Sequence, residues 1–342
     1  MNKSKTIKDI SREANVSTTT VSRVLNGMSR EYRISEKTEH LVLHTAQKLK
    51  YRPNHTAVSL RLQKSNLIGL LIPDLSNPFF SNIASIVSLE LRKRGFSVIV
   101  TDCYEDEKTE IEVVDLLQDR RIDGLLVMPS GANPEHLVAL YKMHVPVVCI
   151  DRYFTSAELP YVATHNYKGA YETTQYLISC GHEKIVCIQG VPHVMPNIQR
   201  VKGYLDAMMD AGLQNYSFVT GNNFSQENGY LETKLLLQKE AERPTAIFCL
   251  SNTILLGVLK STREEGLKIP NDISLVTFDD AEYLKFLKPA ITSVSQPVLE
   301  IAKMSIKILF KMMDQKENKE AWDPEQILLS PTIIFRKSVR NI

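Results

Sequence analysis

The 342-residue sequence lacks the features that several large classes of protein require. Its five cysteines are widely spaced and form no Cys-x-x-Cys pair, so neither a zinc site nor a disulfide framework is indicated. No run approaches the ~20 apolar residues of a membrane span, and no apolar stretch follows the basic N-terminus as in a signal peptide. We therefore expect a cytoplasmic protein that needs no metal and no cofactor.

Glycine is scarce, with 14 residues in all, and none of the glycines cluster after a strand-like run. The sequence contains no Gly-x-Gly-x-x-Gly, no Walker A loop, no His-Glu-x-x-His and no Gly-x-Ser-x-Gly. These absences disfavour nucleotide-dependent and hydrolytic enzymes of the α/β type. We predict that the protein is not an enzyme.

The formal net charge of +2 conceals an uneven distribution. Residues 1–64 hold 13 Lys and Arg against 5 Asp and Glu, a balance of +8, whereas residues 65–342 hold 28 against 34, a balance of −6. A basic head on an acidic body indicates that the head meets an anionic polymer. The boundary between the two parts is predicted near residue 64.

The basic head is predicted to form three short helices. Thr6, Ser17 and Ser35 are good N-cap residues, and apolar side chains recur at helical spacing after each of them. Asn26-Gly27 is a typical stop at the end of the second helix. Two short helices joined by a tight turn, with a third that closes the core, form a helix-turn-helix domain.

The polar face of the second helix is suited to reading DNA. Thr18 and Thr19 can donate to, or accept from, base edges, and Arg23 can hold O6 and N7 of guanine through two parallel hydrogen bonds. Ser17 and the helix N-terminus can hold a phosphate. Together with the charge, this face favours double-stranded DNA as partner over a helical bundle with merely exposed polar side chains.

The string VSTTTVSRVLNG at 16–27 strongly resembles the recognition helix of the LacI/GalR (lactose-repressor) family of bacterial transcription regulators. IKDISREA at 7–14, ISEKT at 34–38 and YRPNHTAVSLR at 51–61 are similar to the rest of its DNA-binding domain and to its hinge. The resemblance implies base contacts by Thr18, Thr19 and Arg23. It also implies contacts with the DNA backbone by four residues: Ser17, Asn26, Tyr51 and Asn54.

The hinge would begin at Pro53-Asn54, where Asn54 can cap a short helix over 55–62. The resemblance implies that Leu60 enters the minor groove as an apolar wedge, which kinks DNA, with Arg61 in or beside that groove. Two departures from the family pattern stand out. The loop MSREYR at 28–33 is about three residues longer than expected, and Lys50 replaces the usual glycine, so we expect the left-handed helix stop there to be lost.

From residue 66 onward, apolar strand-like runs alternate with amphipathic helical stretches, a pattern typical of parallel sheets covered on both faces. We predict a body of two doubly wound α/β subdomains. The strands are expected at 67–72, 97–102, 124–128, 147–150, 184–189, 217–221, 246–250 and 274–278. The helices are expected at 79–94, 108–119, 167–180, 200–211, 228–239, 252–265 and 298–313.

Ligands of such sheets bind at the carboxyl ends of the strands. Polar residues follow the predicted strands at these ends: Asp74, Asp102, Asp151, Arg152, Asn252, Asp279 and Asp280. Carboxylate, amide and guanidinium groups suit a hydroxyl-rich small molecule, and Phe79 and Phe80 could stack on a sugar face. Taken singly, an acidic residue after a strand is more often a helix cap.

The body also resembles the family's effector domain, which is similar to the periplasmic sugar-binding fold. The resemblance rests on IPDLSNPFF at 72–80, RIDGLLVMPS at 121–130, VPVVCIDR at 145–152, the Arg200-x-x-Gly203-Tyr204 element, PTAIFCLSN at 244–252 and ISLVTFDD at 273–280. It implies an effector site lined by Phe79, Asp151, Arg152, Arg200, Asn252 and Asp279.

Domain boundaries follow from the same comparison. The helix-turn-helix domain is placed at 1–52, the hinge helix and linker at 53–65, and the effector-binding domain at 66–342. The chain is expected to cross between subdomains near residues 165, 296 and 327. The first subdomain would comprise 66–165 plus 297–326, and the second 166–296 plus 327–342.

We therefore predict a sequence-specific DNA-binding transcriptional regulator, a repressor, whose operator affinity responds to a small-molecule effector. One recognition helix covers only a half-site, so a homodimer on a pseudo-palindromic operator is expected. No terminal leucine-heptad segment is present to form a tetramer. The expected effector is a sugar or sugar derivative, and a nucleobase is the alternative. A periplasmic-type sugar-binding protein would share the fold of the body.

Overall fold

A computed structural model describes residues 5–51, 64–238, 243–318 and 320–342. The chain divides into two compact units, residues 1–65 and residues 66–342. Each unit is described on its own. In the part of the chain that the structure describes, no helix is long and apolar enough to cross a membrane.

The described residues of the first unit, 5–51 and 64–65, include the helices α1 (Ile7–Ala14), α2 (Thr18–Leu25) and α3 (Glu36–Lys48). Their apolar faces meet in a small core formed by Ile10, Ala14, Val21, Val24, Val42 and Ala46. The predicted caps are present: the Thr6 N–H donates to Oδ2 of Asp9 at 2.8 Å, and the Ser17 hydroxyl accepts from the Thr20 N–H at 3.0 Å.

The expectation that Lys50 removes the left-handed stop after α3 is wrong. Lys50 adopts that conformation with φ of 51°, although it carries a side chain. Its N–H donates to the Gln47 carbonyl at 3.0 Å, and the next N–H, of Tyr51, donates to the Ala46 carbonyl at 2.9 Å. These two bonds satisfy helix-end carbonyls and offset the strain of about 1–2 kcal/mol of a non-glycine residue there.

The second unit contains two six-stranded sheets. The first sheet is parallel throughout, with the order β11-β5-β4-β3-β1-β2. Its strands are β1 (Leu67–Ile72), β2 (Ser97–Asp102), β3 (Gly124–Val127), β4 (Val147–Ile150), β5 (Tyr161–Thr164) and β11 (Gln326–Leu329). The central strands are buried on both faces, which explains their unbroken apolar sequences.

The second sheet has the order β12-β10-β9-β8-β6-β7. Its strands are β6 (Ile185–Ile188), β7 (Phe218–Thr220), β8 (Ala246–Cys249), β9 (Ser274–Phe278), β10 (Thr292–Ser295) and β12 (Thr332–Ile334). Five of these strands are parallel, whereas β12 runs antiparallel to β10 along the edge. The second sheet is therefore mixed rather than purely parallel.

Helices connect the strands and pack against the sheets. They are α4 (Pro78–Lys93), α5 (Glu107–Asp119), α6 (Glu135–Lys142), α7 (Asn166–Ser179), α8 (Met195–Asp210), α9 (Gln226–Leu237), α10 (Asn252–Glu264) and α11 (Val298–Asn318). Close packing of α7 on α8 depends on Gly203, because a Cβ there would lie 2.4 Å from the Tyr167 carbonyl oxygen. This contact positions the helix that carries Arg200.

The chain passes between the two sheets at three places. After β5 it enters α7, and after β10 it enters α11, which packs on the first sheet. The third passage was expected at 327, but residues 327–329 still pair with β5 in the first sheet. The passage therefore lies at 330–331, before β12 pairs with β10, and residues 327–329 do not belong to the second subdomain.

Candidate effector site and DNA-binding surface

A cleft between the two sheets collects side chains from the carboxyl ends of strands. Asp151 directly follows β4 in the first sheet, and Asp279 directly follows β9 in the second. Both aspartates adopt left-handed backbone conformations, with φ of 62° and 71°. Non-glycine residues in this conformation cluster at functional sites, because the surrounding structure must hold them there.

The cleft encloses a cavity of about 20 Å³. It is lined by Asn77, Phe79, Phe80, Asp151, Arg152, Pro196, Arg200, Phe224, Ser251, Asp279 and Gln296. A cavity of this volume holds about one water molecule. The cavity is therefore too small for a sugar when the two lobes, the parts of the second unit built on the first and on the second sheet, stand as they do in this structure.

Arg152 is buried and forms a two-pronged ion pair with Glu105. Its terminal nitrogens donate to the two carboxylate oxygens at 2.6 and 2.7 Å, and one of them also reaches the Pro129 carbonyl at 3.3 Å. The guanidinium carbon lies 5.3 Å from the ring centre of Phe80 and 5.8 Å from that of Phe224. The positive charge of Arg152 is thus compensated within the protein.

Arg200 projects from α8 and is also buried. Its Nε donates to Oδ1 of Asn166 at 2.8 Å, and one terminal nitrogen donates to the Leu250 carbonyl at 2.7 Å. The guanidinium stacks on the ring of Phe278 at 3.7 Å. Burial lowers the pKa of Arg200, and the charge of Arg152 acts in the same direction.

Asp279 belongs to a short chain of hydrogen bonds that reaches the crossover segments. Its Oδ1 accepts from Nε2 of Gln296 at 2.6 Å, and the amide oxygen of Gln296 accepts from the Thr164 hydroxyl. Thr164 ends β5 and Gln296 follows β10, so both residues lie where the chain passes between sheets. Burial raises the pKa of Asp279, against the opposing charge of Arg200.

Asp151 is the least satisfied polar group of the cleft. Its Oδ1 is buried and accepts no hydrogen bond within the described residues. Burial raises the pKa of Asp151 to about 6, and the positive charges of Arg200 and Arg152 only partly oppose this effect. The neighbouring carboxylates of Asp279 and Glu105 raise the pKa further. A buried oxygen without a partner is suited to accept from a ligand hydroxyl.

The structure brings five of the six predicted effector-site residues to the cavity: Phe79, Asp151, Arg152, Arg200 and Asp279. The sixth, Asn252, is the first residue of α10, and its backbone N–H supports the Asp279 carboxylate rather than lining the cavity. Three further candidates lie outside the lining: Asp74, Asp102 and Asp280. The side chain of Asp280 pairs with Arg336 at 2.8 Å.

Sequence reasoning missed several residues of the site, above all Glu105, Asn77, Phe224 and Gln296. Asn77 caps α4 through a bond of 3.0 Å from the Phe79 N–H, and the SNPFF string could have indicated it. Phe224 follows β7 at a carboxyl end. Nothing in the sequence pairs Glu105 with Arg152, because 47 residues separate them.

A hydrogen bond crosses the cleft beside the cavity. Nε2 of His193, in the loop between β6 and α8, donates to the Ser130 carbonyl at 2.9 Å. Ser130 follows β3 in the first sheet, and its N–H donates to the buried carboxylate of Glu110. Since His193 and Ser130 belong to different lobes, this bond opposes their separation.

The first unit presents the predicted DNA-reading residues on one concave surface. Thr18, Thr19, Arg23 and Asn26 line it together with Ile7, Ser22, Met28 and Tyr32. Ser17 and Asn26 are exposed, although Ser17 also caps α2. Tyr51 is half-buried against the three-helix core. Three predicted hinge residues lie outside the described residues: Asn54, Leu60 and Arg61.

No group of three or more His, Cys, Asp and Glu suited to a metal ion occurs within residues 5–51, 64–238, 243–318 and 320–342. The five cysteines are free, and burial raises the pKa of Cys103 to about 11. The protonated thiol is unreactive at neutral pH.

Comparison with known families agrees with both units. The family described as bacterial regulatory proteins, lacI family, matches residues 6–54. The family described as periplasmic binding proteins and sugar binding domain of LacI family matches residues 65–331. The chain belongs to the LacI family of bacterial regulatory proteins. It is a DNA-binding transcriptional repressor and not an enzyme.

Relatives of this LacI-family repressor match along almost the whole chain. Catabolite control protein A of Priestia megaterium is 31% identical over 98% of this chain and 99% of its own length. The ribose operon repressor of Haemophilus influenzae is 31% identical over 98% of this chain and 99% of its own length. A free-standing periplasmic sugar-binding protein would not contain the matched N-terminal regulatory domain.

Solved structures share the fold of this LacI-family repressor. A lac repressor dimer bound to operator and an anti-inducer superimposes with a TM-score of 0.87 at 24% identity, covering 99% of this chain and 100% of that chain. A LacI-family regulator from Enterococcus faecium with bound ribose superimposes with a TM-score of 0.72 at 26% identity, covering 81% of this chain and 99% of that chain.

Proposed function

We propose that this repressor binds a pseudo-palindromic operator as a homodimer and that a neutral sugar, with ribose as the first candidate, is its effector. Each predicted domain has its own proposed role. Residues 1–52 read DNA, residues 53–65 form the hinge, and the two lobes of residues 66–342 bind the effector. The repressor acts in the cytoplasm, where the operator and the sugar are both accessible.

The charge of the cleft supports a neutral effector. Arg152 and Arg200 contribute two positive charges, whereas Glu105, Asp151 and Asp279 contribute three carboxylates. A phosphate group would add a charge of about −1.5 to −2 to a site that already has more acidic than basic groups. The ion pair between Arg152 and Glu105 therefore weighs against a phosphorylated sugar as the effector.

The observation that carries the proposal is the unpartnered Oδ1 of Asp151, buried between two arginines and beside aromatic rings. A sugar hydroxyl can donate to this oxygen while its other hydroxyls accept from Arg200 and donate to Asp279. The rings of Phe79 and Phe224 border the same cavity and can cover the apolar face of a sugar ring.

Ribose is the first candidate because of two relatives. The regulator from Enterococcus faecium was solved with bound ribose, and the relative in Haemophilus influenzae is a ribose operon repressor. A nucleobase remains the second candidate, since its N–H groups could donate to the Asp151 carboxylate and its plane could lie against a phenylalanine ring.

We expect effector binding and DNA binding to be coupled through the segments that cross between the two lobes. Effector entry requires the lobes to part, and two of the three crossover segments meet the site through Thr164, Gln296 and Asp279. A shift of the lobes would change the separation of the two hinges in the dimer and hence the fit of both recognition helices. The coupling is reciprocal, so operator DNA must change effector affinity by the same factor.

The test is a titration of the full chain with D-ribose by calorimetry and thermal unfolding, compared with fructose 1-phosphate, cellobiose, hypoxanthine and guanine. Ribose at 100 times its Kd should stabilise the protein by about 2.7 kcal/mol. Asp279→Asn should abolish the response, whereas Asp280→Asn, whose side chain lies outside the cavity, should preserve it. Binding of hypoxanthine but not ribose would reject the sugar and support the nucleobase.

A further inference from the structure

The longer loop at 28–33 is an ordered part of the DNA-reading surface. Its entry is held by the Met28 N–H, which donates to the Arg23 carbonyl at 2.9 Å. Its exit is held by the Ile34 N–H, which donates to the Ser29 carbonyl at 2.8 Å, and Arg33 adopts a left-handed conformation with φ of 50°. These bonds fold the extra residues back towards α2.

The folded loop places an aromatic ring on Arg23. The guanidinium carbon of Arg23 lies 3.8 Å from the ring centre of Tyr32. Tyr32 is 42% exposed and lines the same concave surface as Thr18 and Thr19. The stack therefore lies where the recognition helix faces its partner, not in the interior of the three-helix core.

We propose that Tyr32 is a positioning residue that holds Arg23 ready to read a base, an inference that rests on the proposed role of Arg23. A free arginine side chain loses about 2 kcal/mol of rotamer entropy when it is fixed. Tyr32 covers one face of the guanidinium and leaves the in-plane N–H groups open. These are the groups that a bidentate contact with guanine O6 and N7 requires.

Stacking is the contact that orients the Arg23 head in the free protein. Within the described residues no carboxylate forms an ion pair with Arg23, whereas the ring of Tyr32 covers one face of its guanidinium at 3.8 Å. Cation–π contacts at exposed sites are worth about 0.5–1 kcal/mol, which corresponds to about two- to fivefold in affinity per half-site. A dimer would multiply this factor across two half-sites, giving about four- to thirtyfold.

The experiment first selects the preferred operator with the wild-type full chain from a random DNA pool. Binding is then measured by fluorescence anisotropy to this operator and to a variant with the Arg23-dependent base pair replaced in both half-sites. The variants are Arg23→Ala, with Arg30→Ala as its charge-matched control, and Tyr32→Phe, Tyr32→Leu and Tyr32→Gln. The double variant Arg23→Ala/Tyr32→Leu completes a double-mutant cycle.

If Tyr32 positions Arg23, Tyr32→Phe retains discrimination, because the ring is kept. Tyr32→Leu and Tyr32→Gln lose about four- to thirtyfold in discrimination at that base pair only, with an unchanged salt dependence of nonspecific binding. In the Arg23→Ala background, Tyr32→Leu has no further effect on discrimination.

Three outcomes would overturn the inference. A uniform loss of affinity in Tyr32→Phe would mean that the phenol contacts DNA directly. An equal effect of Tyr32→Leu with and without Arg23 would mean independent action, and loss of all DNA binding in both non-aromatic variants would mean a role in folding alone. Unchanged sequence preference in Arg23→Ala would instead reject the proposed role of Arg23.

Discussion

The guanidinium of Arg152 and the carboxylate of Glu105 form two hydrogen bonds, of 2.6 and 2.7 Å, at the edge of the effector cavity. Arg152 lies after β4 and is buried, whereas Glu105 lies after β2 and is partly exposed. The guanidinium of Arg152 is therefore already bound to a carboxylate of the protein. We expect this pairing to limit the negative charge of the ligands that the cleft binds.

Replacing Glu105 with glutamine should change the charge selectivity of the cleft. Glu105→Gln leaves the positive charge of Arg152 uncompensated, so affinity for fructose 1-phosphate should rise about tenfold while affinity for ribose changes less than about threefold. Calorimetric titration with both ligands measures the ratio. Glu112→Gln, on the exposed face of α5, is the control, and an unchanged ratio in Glu105→Gln would contradict the prediction.

Asp151 should make stability and binding depend on pH between about 4 and 6. Its pKa is raised to about 6 in the folded protein by burial, so its ionisation destabilises the fold as pH rises through this range. Asp151→Asn should therefore be more stable than wild type at pH 7.5, by on the order of 2–3 kcal/mol, and nearly equal to it at pH 4. Urea unfolding across this range measures the difference.

The same carboxylate accepts more strongly from a ligand hydroxyl when it is ionised than when it is protonated. Ribose affinity should therefore fall as pH drops below about 6, by up to tenfold per pH unit, because binding favours the ionised form of Asp151 and so releases up to one proton. Asp151→Asn should bind weakly at every pH and lose this slope. Asp115→Asn, an exposed carboxylate on α5, should retain it. A slope that survives in Asp151→Asn would assign the titration to another group.

His193 should control how fast the cleft opens. His193→Ala removes the bond of 2.9 Å to the Ser130 carbonyl in the other lobe. One such bond is worth about 0.5–1.5 kcal/mol, so association and dissociation of the effector should both accelerate about two- to tenfold. Stopped-flow mixing monitors both rates. The control is His44→Ala in the first unit, which should leave both rates unchanged. Unchanged rates in His193→Ala would show that separation of the lobes does not limit entry of the effector.

Tyr204 should stabilise the second lobe through its hydroxyl. The buried phenol donates to the Ile185 carbonyl at 2.6 Å and accepts from the Phe218 N–H at 2.9 Å, which joins β6 to the entry of β7. Tyr204→Phe removes both bonds to these backbone groups and should lower the free energy of unfolding by about 1–3 kcal/mol. Urea unfolding tests this value, and the exposed Tyr216→Phe should cost much less.

Local sequence was enough to place most elements of the fold. The predicted strands at 67–72, 97–102, 147–150 and 274–278 have the observed bounds, and three of them, all but the edge strand 97–102, are buried parallel strands that need mostly apolar runs. The strand Thr292–Ser295 was missed because its sequence, TSVS, is mostly polar. Its buried polar groups are satisfied by other parts of the chain: the Thr292 N–H, for example, donates to the Ser338 hydroxyl.

The residues of the candidate effector site that directly follow strands could be predicted from the sequence. Asp151 and Asp279 were placed by the rule that ligands bind at the carboxyl ends of parallel strands, and the family resemblance added Arg200 from within a helix. Asn252 was assigned to the site both by this rule and by the resemblance, but its side chain does not line the cavity. Whether Asn252 lines the cavity or supports Asp279 depends on how α10 packs against the loop that carries Asp279. This packing is a property of the tertiary structure.

The sequence by itself determined the family, the basic DNA-binding head and the two α/β lobes, because caps, apolar periodicity and charge are local properties of the chain. Tertiary structure alone determined that Glu105 compensates Arg152, that His193 bridges the lobes and that Tyr32 stacks on Arg23. Two of these contacts join residues 47 and 63 positions apart. The third depends on how an unusual loop folds back, and no local pattern contains that information.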